Sequence, residues 1–204
     1  MSAAGTSARG LARRFGVGRS AMNRSSAPSG RRRRIRLAFA ALAAVFVVFC
    51  LITARLFVWP TRGMPAHVSA VVMLAGPGDR LPVALQLVKE HRLPVLVVSQ
   101  GQHGYGGPCP PTPSGVRLIC FDPDPGNTRG EAEYIGRLAR RYQWSSVVLV
   151  TTRSQDTRAR MMVERCFGGS VYVVTAPLPA GSWPYQIVYE WGALFKAVFL
   201  YRAC

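Results

Sequence analysis

The chain has 204 residues and a formal charge of +17, from 26 basic and 9 acidic residues. Ten arginines and no acidic residue fall within residues 1–36, which leaves 16 basic against 9 acidic residues, a surplus of +7, for the rest. The basic balance therefore belongs to the N-terminal segment. With no nucleic-acid motif beside it, it excludes a nucleic-acid-binding domain.

Residues 1–34 are rich in Ser, Gly, Ala and Arg and show no periodicity. Such a segment cannot bury enough apolar surface to fold, and a disordered basic tail is predicted. The run "RRRRIR" at 31–36 closes it, and "LAFAALAAVFVVFCLIT" at 37–53 follows without a charge. Past Arg55, "LFVWP" carries the apolar run to Pro60. A transmembrane helix needs ~20 mostly apolar residues. One is predicted over 35–59, with Arg55 snorkelling to the far interface beside Trp59. The arginine run on one flank sets the N-terminus in the cytoplasm and residues 60–204 outside the cell membrane, as a single-pass protein. A cleaved signal peptide competes, but the charged region is long for one and no small-x-small site follows directly. Met22 offers a second start that would shorten the tail. A further reading makes the tail itself functional, binding anionic lipid head groups.

From residue 61 short apolar runs alternate with helical stretches. Strands are expected at "HVSAVVML" (67–74), "PVLVVS" (94–99), "VRLIC" (116–120), "SVVLVT" (146–151) and "VYVVT" (171–175). Helices are expected at 80–91, 127–142, 155–166 and 184–202 from their apolar spacing. A Gly/Pro-rich loop fills 100–114. Continuous apolar strands mark a sheet covered on both faces. The alternation predicts a Rossmann-like three-layer α/β domain with a mostly parallel sheet, its strand order unreadable.

Cys109, Cys120, Cys166 and Cys204 are an even number in the exported part, which permits disulfides there. Three connectivities are open. Cys109–Cys120, closing a Pro-rich loop, and Cys166–Cys204, tying down the C-terminus, are preferred over free buried thiols. No CxxC or paired His points to a metal, and His67, His91 and His103 are scattered, so neither metal nor cofactor is assigned.

In such folds ligands bind outside the carboxyl ends of the strands, where the polar residues gather. Gly76, Gly78, Asp79 and Arg80 follow the first strand, and Ser99, Gln100 and Gly101 the second. Asn127, Thr128 and Glu131 open a helix. Thr151, Thr152, Arg153 and Arg158 follow the fourth strand. A helix N-terminus there, with arginine beside it, suits phosphate or carboxylate. Asp79 and Glu131 are the candidate acid–base residues. One of Asn127 and Thr128 is expected simply to cap its helix, and Arg160 to be solvated. "AGPGDR" is not a dinucleotide fingerprint, and Ser99 lacks nucleophile-elbow glycines.

The order of "VVMLAG…DR…A" (71–84), "VLVVSQG" (95–101), "NTRGEA" (127–132), "VLVTTRSQDTRAR" (148–160) and a late "YEW" resembles the YdcF-like family of SanA, ElyC and YdcF envelope proteins. The resemblance covers roughly residues 66–202, in a membrane-anchored, actinobacterial-type form. It implies a Rossmann-like fold and a polar site at Gly76, Arg80, Ser99, Gly101, Asn127, Thr128, Thr151, Thr152, Arg158 and Glu190. It also implies a role in the cell envelope and in peptidoglycan or lipid-carrier metabolism. The chain departs from the family at Gln100 (often Gly), Gln155 (often His), Asp122 (often Glu) and Pro125 (often Ser), and residues 100–119 hold no acidic residue. An amide at 155 does not titrate and cannot be a general base. One cytoplasmic relative is associated with S-adenosylmethionine, which an exported domain would rarely meet, so that cofactor is not carried over. The expected partners are membrane lipid and an anionic envelope precursor, such as a lipid-linked sugar phosphate, or a small-molecule phosphate. The alternative is a non-catalytic scaffold for envelope assembly.

Overall fold

The computed structural model describes residues 29–60, 63–65, 67–101 and 108–204. The predicted tail up to residue 28 and His103 lie outside the described residues. Helix α1 (Ser29–Thr53) continues into a π-helical turn, Ala54–Val58. Together, Gly30–Val58 is long and apolar enough to cross a membrane. Residues 29–34, assigned to the tail by composition, are helical, because the apolar run behind them propagates the helix backwards at little cost.

The described residues divide into two units, one ending at Ala44 and the other Val45–Cys204. The second half of the apolar helix thus belongs with the α/β part. Trp191 is the reason. Its ring stacks on Phe49 at 5.4 Å, meets Phe57 edge-on at 5.4 Å, and its indole N–H donates to Thr53 Oγ1 at 3.3 Å. Phe57 is fully buried, and Thr157 Oγ1 donates to the Leu56 carbonyl at 2.6 Å.

The α/β part is built on β1 (Ala70–Met73), β2 (Val95–Ser99), β3 (Arg117–Phe121), β4 (Ser146–Thr152) and β5 (Ser170–Ala176). All pair in parallel, in the order β3-β2-β1-β4-β5. Side chains of β1, β2 and β4 alternate between two apolar layers. On one face Val72, Val97 and Leu149 meet Ile135 and Ala139 of α3 (Thr128–Tyr142) and Ala159 and Val163 of α4 (Asp156–Cys166). On the other Val71, Met73, Leu96 and Val150 meet Ala84, Leu87 and Val88 of α2 (Arg80–Glu90). Helices on both faces explain why these strands read as continuous apolar runs. Gly136 lets α3 approach α4, since a Cβ there would come 2.5 Å from the Cys166 carbonyl oxygen. Helix α5 (Trp183–Phe199) packs outside α4 and stops short of residue 202.

Both preferred disulfides form. Cys109–Cys120 closes an 11-residue separation and Cys166–Cys204 one of 38. Cys50 is exposed and outside both. Reducing either disulfide should lower stability by about 2–5 kcal/mol through the enlarged unfolded ensemble. Cys166→Ser with Cys204→Ser should account for the larger share, because it opens the longer loop; urea melts of the two double variants check this.

Candidate functional site

The chain runs outward from β1 through β2 to β3, then returns through α3 to β4, beside β1. The connections that leave β1 and β4 go to opposite faces of the sheet, α2 to one and α4 to the other. A crevice must open between their carboxyl ends. A cleft of about 530 Å³ lies there. Its wall comes from Ala75 and Gly76 after β1, Gly101 after β2, Asn127, Thr128 and Glu131 of the α3 start, Gln155 and Arg158 of α4, and Tyr185, Gln186, Tyr189 and Glu190 of α5. A broader depression of about 910 Å³ at the opposite end of the sheet, beside Pro94 and Trp144, lacks such converging buried polar groups.

The cleft is held by a buried polar network. Arg80 donates from Nη1 to the carbonyls of Leu74 at 2.8 Å and Ala75 at 2.6 Å, and from Nε to Pro77 at 3.0 Å. Its Nη2 donates to Gln155 Oε1 at 2.9 Å. Gln155 also accepts from Thr151 Oγ1 at 2.9 Å and donates from Nε2 to Thr128 Oγ1 at 3.3 Å. Arg158 grips Glu190 with two bonds, Nε to Oε2 at 2.6 Å and Nη2 to Oε1 at 2.8 Å. Its Nη1 donates to Thr128 Oγ1 at 2.6 Å. The Ala75 N–H donates to Glu131 Oε1 at 2.7 Å. Gly76 has φ 129°, and a Cβ there would lie 2.8 Å from Arg80 Nη2. Both constraints require glycine.

Burial sets the electrostatics. It pushes the Glu131 carboxyl above its usual range, against the opposing pull of the Ala75 N–H, Ser99, Arg80 and Arg158. The Ser99 hydroxyl is fully buried and favours the charged carboxylate, although it makes no hydrogen bond of good geometry. Burial lowers Arg80 to about 10, partly offset by Glu131 and Glu190. Burial also draws Arg158 down, but the bonds and charge of Glu190 outweigh it and hold that guanidinium above its usual value. A cleft carboxyl poised toward its neutral form, beside fixed cations, is suited to giving or taking a proton.

The structure gathers most of the sequence-predicted residues and separates a few. Gly76, Gly101, Asn127, Thr128, Glu131, Arg158 and Glu190 line the cleft. Arg80, Ser99 and Thr151 are buried as supports, and Thr152 is buried against Gly78. Asp79 is exposed and Arg153 half-buried, both outside the cleft wall. Asn127 is the capping member of its pair: its side chain accepts from the Arg129 N–H at 2.9 Å while Thr128 turns inward. Arg160 is not merely solvated. It donates to the Val171 carbonyl at 2.7 Å and pairs with Asp156 at 3.5 Å. Asp156, buried in the first turn of α4, puts a carboxylate of the protein's own at the positive end of that helix, where the sequence suggests an anion.

Sequence reasoning missed Gln155 as the hub and the α5 contribution of Tyr185, Gln186 and Tyr189. Its available signal was Gln186 and Glu190, polar residues four apart on the inward face of an otherwise apolar helix.

No protein-family model, curated protein or solved structure matches the chain.

Two outcomes are expected. Arg158→Ala leaves Glu190 buried without its partner and should cost about 3–5 kcal/mol, whereas Arg158→Met with Glu190→Met should cost far less; urea unfolding distinguishes them. A raised Glu131 pKa gives stability that is complete below the usual value of 4.5 and lost as pH rises through the folded value. Glu131→Gln should therefore melt progressively higher relative to the parent as pH rises toward neutrality.

Proposed function

We propose that this is a single-pass envelope protein of YdcF-like type, N-terminus cytoplasmic, whose exported domain binds an anionic envelope precursor in the strand-end cleft. A lipid-linked sugar phosphate is the preferred class. The observation that carries the reading is the wall itself. Arg158 faces the cleft, fixed by Glu190 and Thr128, and two of its N–H groups remain beyond those three bonds. Around it stand hydrogen-bonding groups of Asn127, Thr128 and Gln186, and the rings of Tyr185 and Tyr189, stacked at 6.1 Å. A guanidinium takes the phosphate, while aromatic faces and amides take a sugar ring. Glu131 is the group suited to proton transfer if the ligand is turned over. The apolar helix, the arginine run on its N-terminal flank and the two disulfides support export.

The scaffold reading keeps one observation of its own. Both buried arginines are already engaged by the protein, and the central hydrogen-bonding residue, Gln155, is an amide that does not titrate.

Melting curves of the full-length protein in detergent separate the two. A sugar phosphate or a polyprenyl phosphate at a hundred times its dissociation constant should stabilise the parent by about 2.7 kcal/mol. Tyr189→Ala, at an exposed position of the wall, should lose most of that shift while folding normally. No shift with any anion would leave the scaffold.

A further inference from the structure

Helix α5 buries one side and bares the other. Gln186, Glu190, Leu194 and Ala197 face inward. Tyr185, Val188, Phe195 and Phe199 are 68%, 74%, 60% and 53% exposed. With Gly192 between them they recur at alternating spacings of three and four, so they form one continuous stripe. Among the described residues nothing covers it. A stripe of this size on a globular domain marks a contact surface.

Its surroundings identify the contact. Trp191 borders the stripe and stacks on Phe49. Phe49 belongs to Val45–Ala54, a charge-free part of the helix that is apolar and long enough to span a membrane. Past Ala54 the helix packs on the α/β part, with Phe57 buried and the Leu56 carbonyl bonded by Thr157, so the lipid-facing stretch ends near Ala54 rather than at Trp59; Phe49 lies five residues before that point, about 7.5 Å along the axis at 1.5 Å per residue. Val45, Phe46, Val48 and Leu51 are themselves largely exposed, as lipid-facing residues must be. The α5 stripe therefore adjoins a lipid-facing surface, at the depth of about 5–10 Å that an interfacial helix reaches. Lys196 and Arg202, both exposed, supply cations for anionic head groups, and Tyr185 and Tyr189 carry the hydroxyls favoured at the interface.

We infer that the exposed face of α5 docks on the lipid bilayer, laying the domain against the membrane with the cleft mouth at Tyr185 and Tyr189 beside the head groups. This rests on the membrane-anchored reading above. It deepens that reading, because a phosphate carried on a lipid would reach Arg158 without leaving the interface.

The test uses the full-length chain in vesicles of phosphatidylcholine and phosphatidylglycerol, with an environment-sensitive fluorophore on a single cysteine and a spin-labelled lipid as quencher. One sample is labelled at native Cys50, in the apolar helix. The others carry Cys50→Ser with either Val188→Cys, on the stripe, or Ser114→Cys, exposed at the opposite end of the sheet. Labels at 50 and 188 should be blue-shifted and lose most of their emission to the lipid quencher, while the label at 114 should not. If 50 is quenched but 188 behaves like 114, the stripe faces water and the inference fails with the anchor intact. If 188 is blue-shifted yet unquenched, protein covers it, and a signal that fades on dilution to one chain per vesicle identifies a second copy. If 50 is unquenched, the anchor fails and the docking with it.

Discussion

The guanidinium of Arg80 is the piece on which the cleft depends. Where β1 ends, the chain turns away and leaves the carbonyls of Leu74, Ala75 and Pro77 without ladder partners, that of Leu74 buried and that of Pro77 near the surface. An unpaired buried carbonyl costs about 1–3 kcal/mol. Arg80 takes all three, and passes a fourth bond to Gln155 at the start of α4. One side chain thus shapes the β1 turn and joins it to the segment after β4. Gly76 is the cost to the sequence, since any Cβ would intrude on that guanidinium.

A buried cation must be answered. Arg80 and Arg158 bring two positive charges into the site, and Glu131 and Glu190 bring two carboxyls. Glu190 is committed to Arg158 by two bonds, whereas Glu131 is held by the Ala75 N–H beside Ser99 and answers to burial first. This asymmetry leaves one fixed ion pair and one carboxyl that can carry a proton. Gln155 fits between the arginines because an amide accepts from Arg80 and Thr151 and donates to Thr128 without ever charging. A histidine there, as the family resemblance expects, would add a third cation on protonation. Of the two buried carboxyls of the cleft, Glu131 is the one not tied to a guanidinium by hydrogen bonds.

The same helix completes the cleft and carries the exposed aromatic stripe. The inward face of α5 delivers Glu190 to Arg158, its edge delivers Trp191 to Phe49, and its outer face is aromatic and bare. Within the unit that begins at Val45, residues 49–57 pack directly on Trp191 and Thr157, so this end of the apolar helix is fixed to the α/β part by side-chain contacts.

The sequence by itself determined the elements, because periodicity and punctuation are properties of neighbouring residues. The five strands, the four helices of the α/β part, the apolar helix and the Asn127–Thr128 helix start are all legible that way, with ends shifted by a few residues. It also pointed to the strand ends as the place where polar groups gather. Only the tertiary structure decided what those groups do. Arg158 reads as an open anion ligand until Glu190, 32 residues on, arrives across α5, and Gln155 reads as a lost histidine until Arg80, 75 residues back, is seen to need it. The strand order, which opens the cleft between β1 and β4, was equally hidden. Contacts at such separations depend on which strands pair and how helices cross, and no local spacing encodes that.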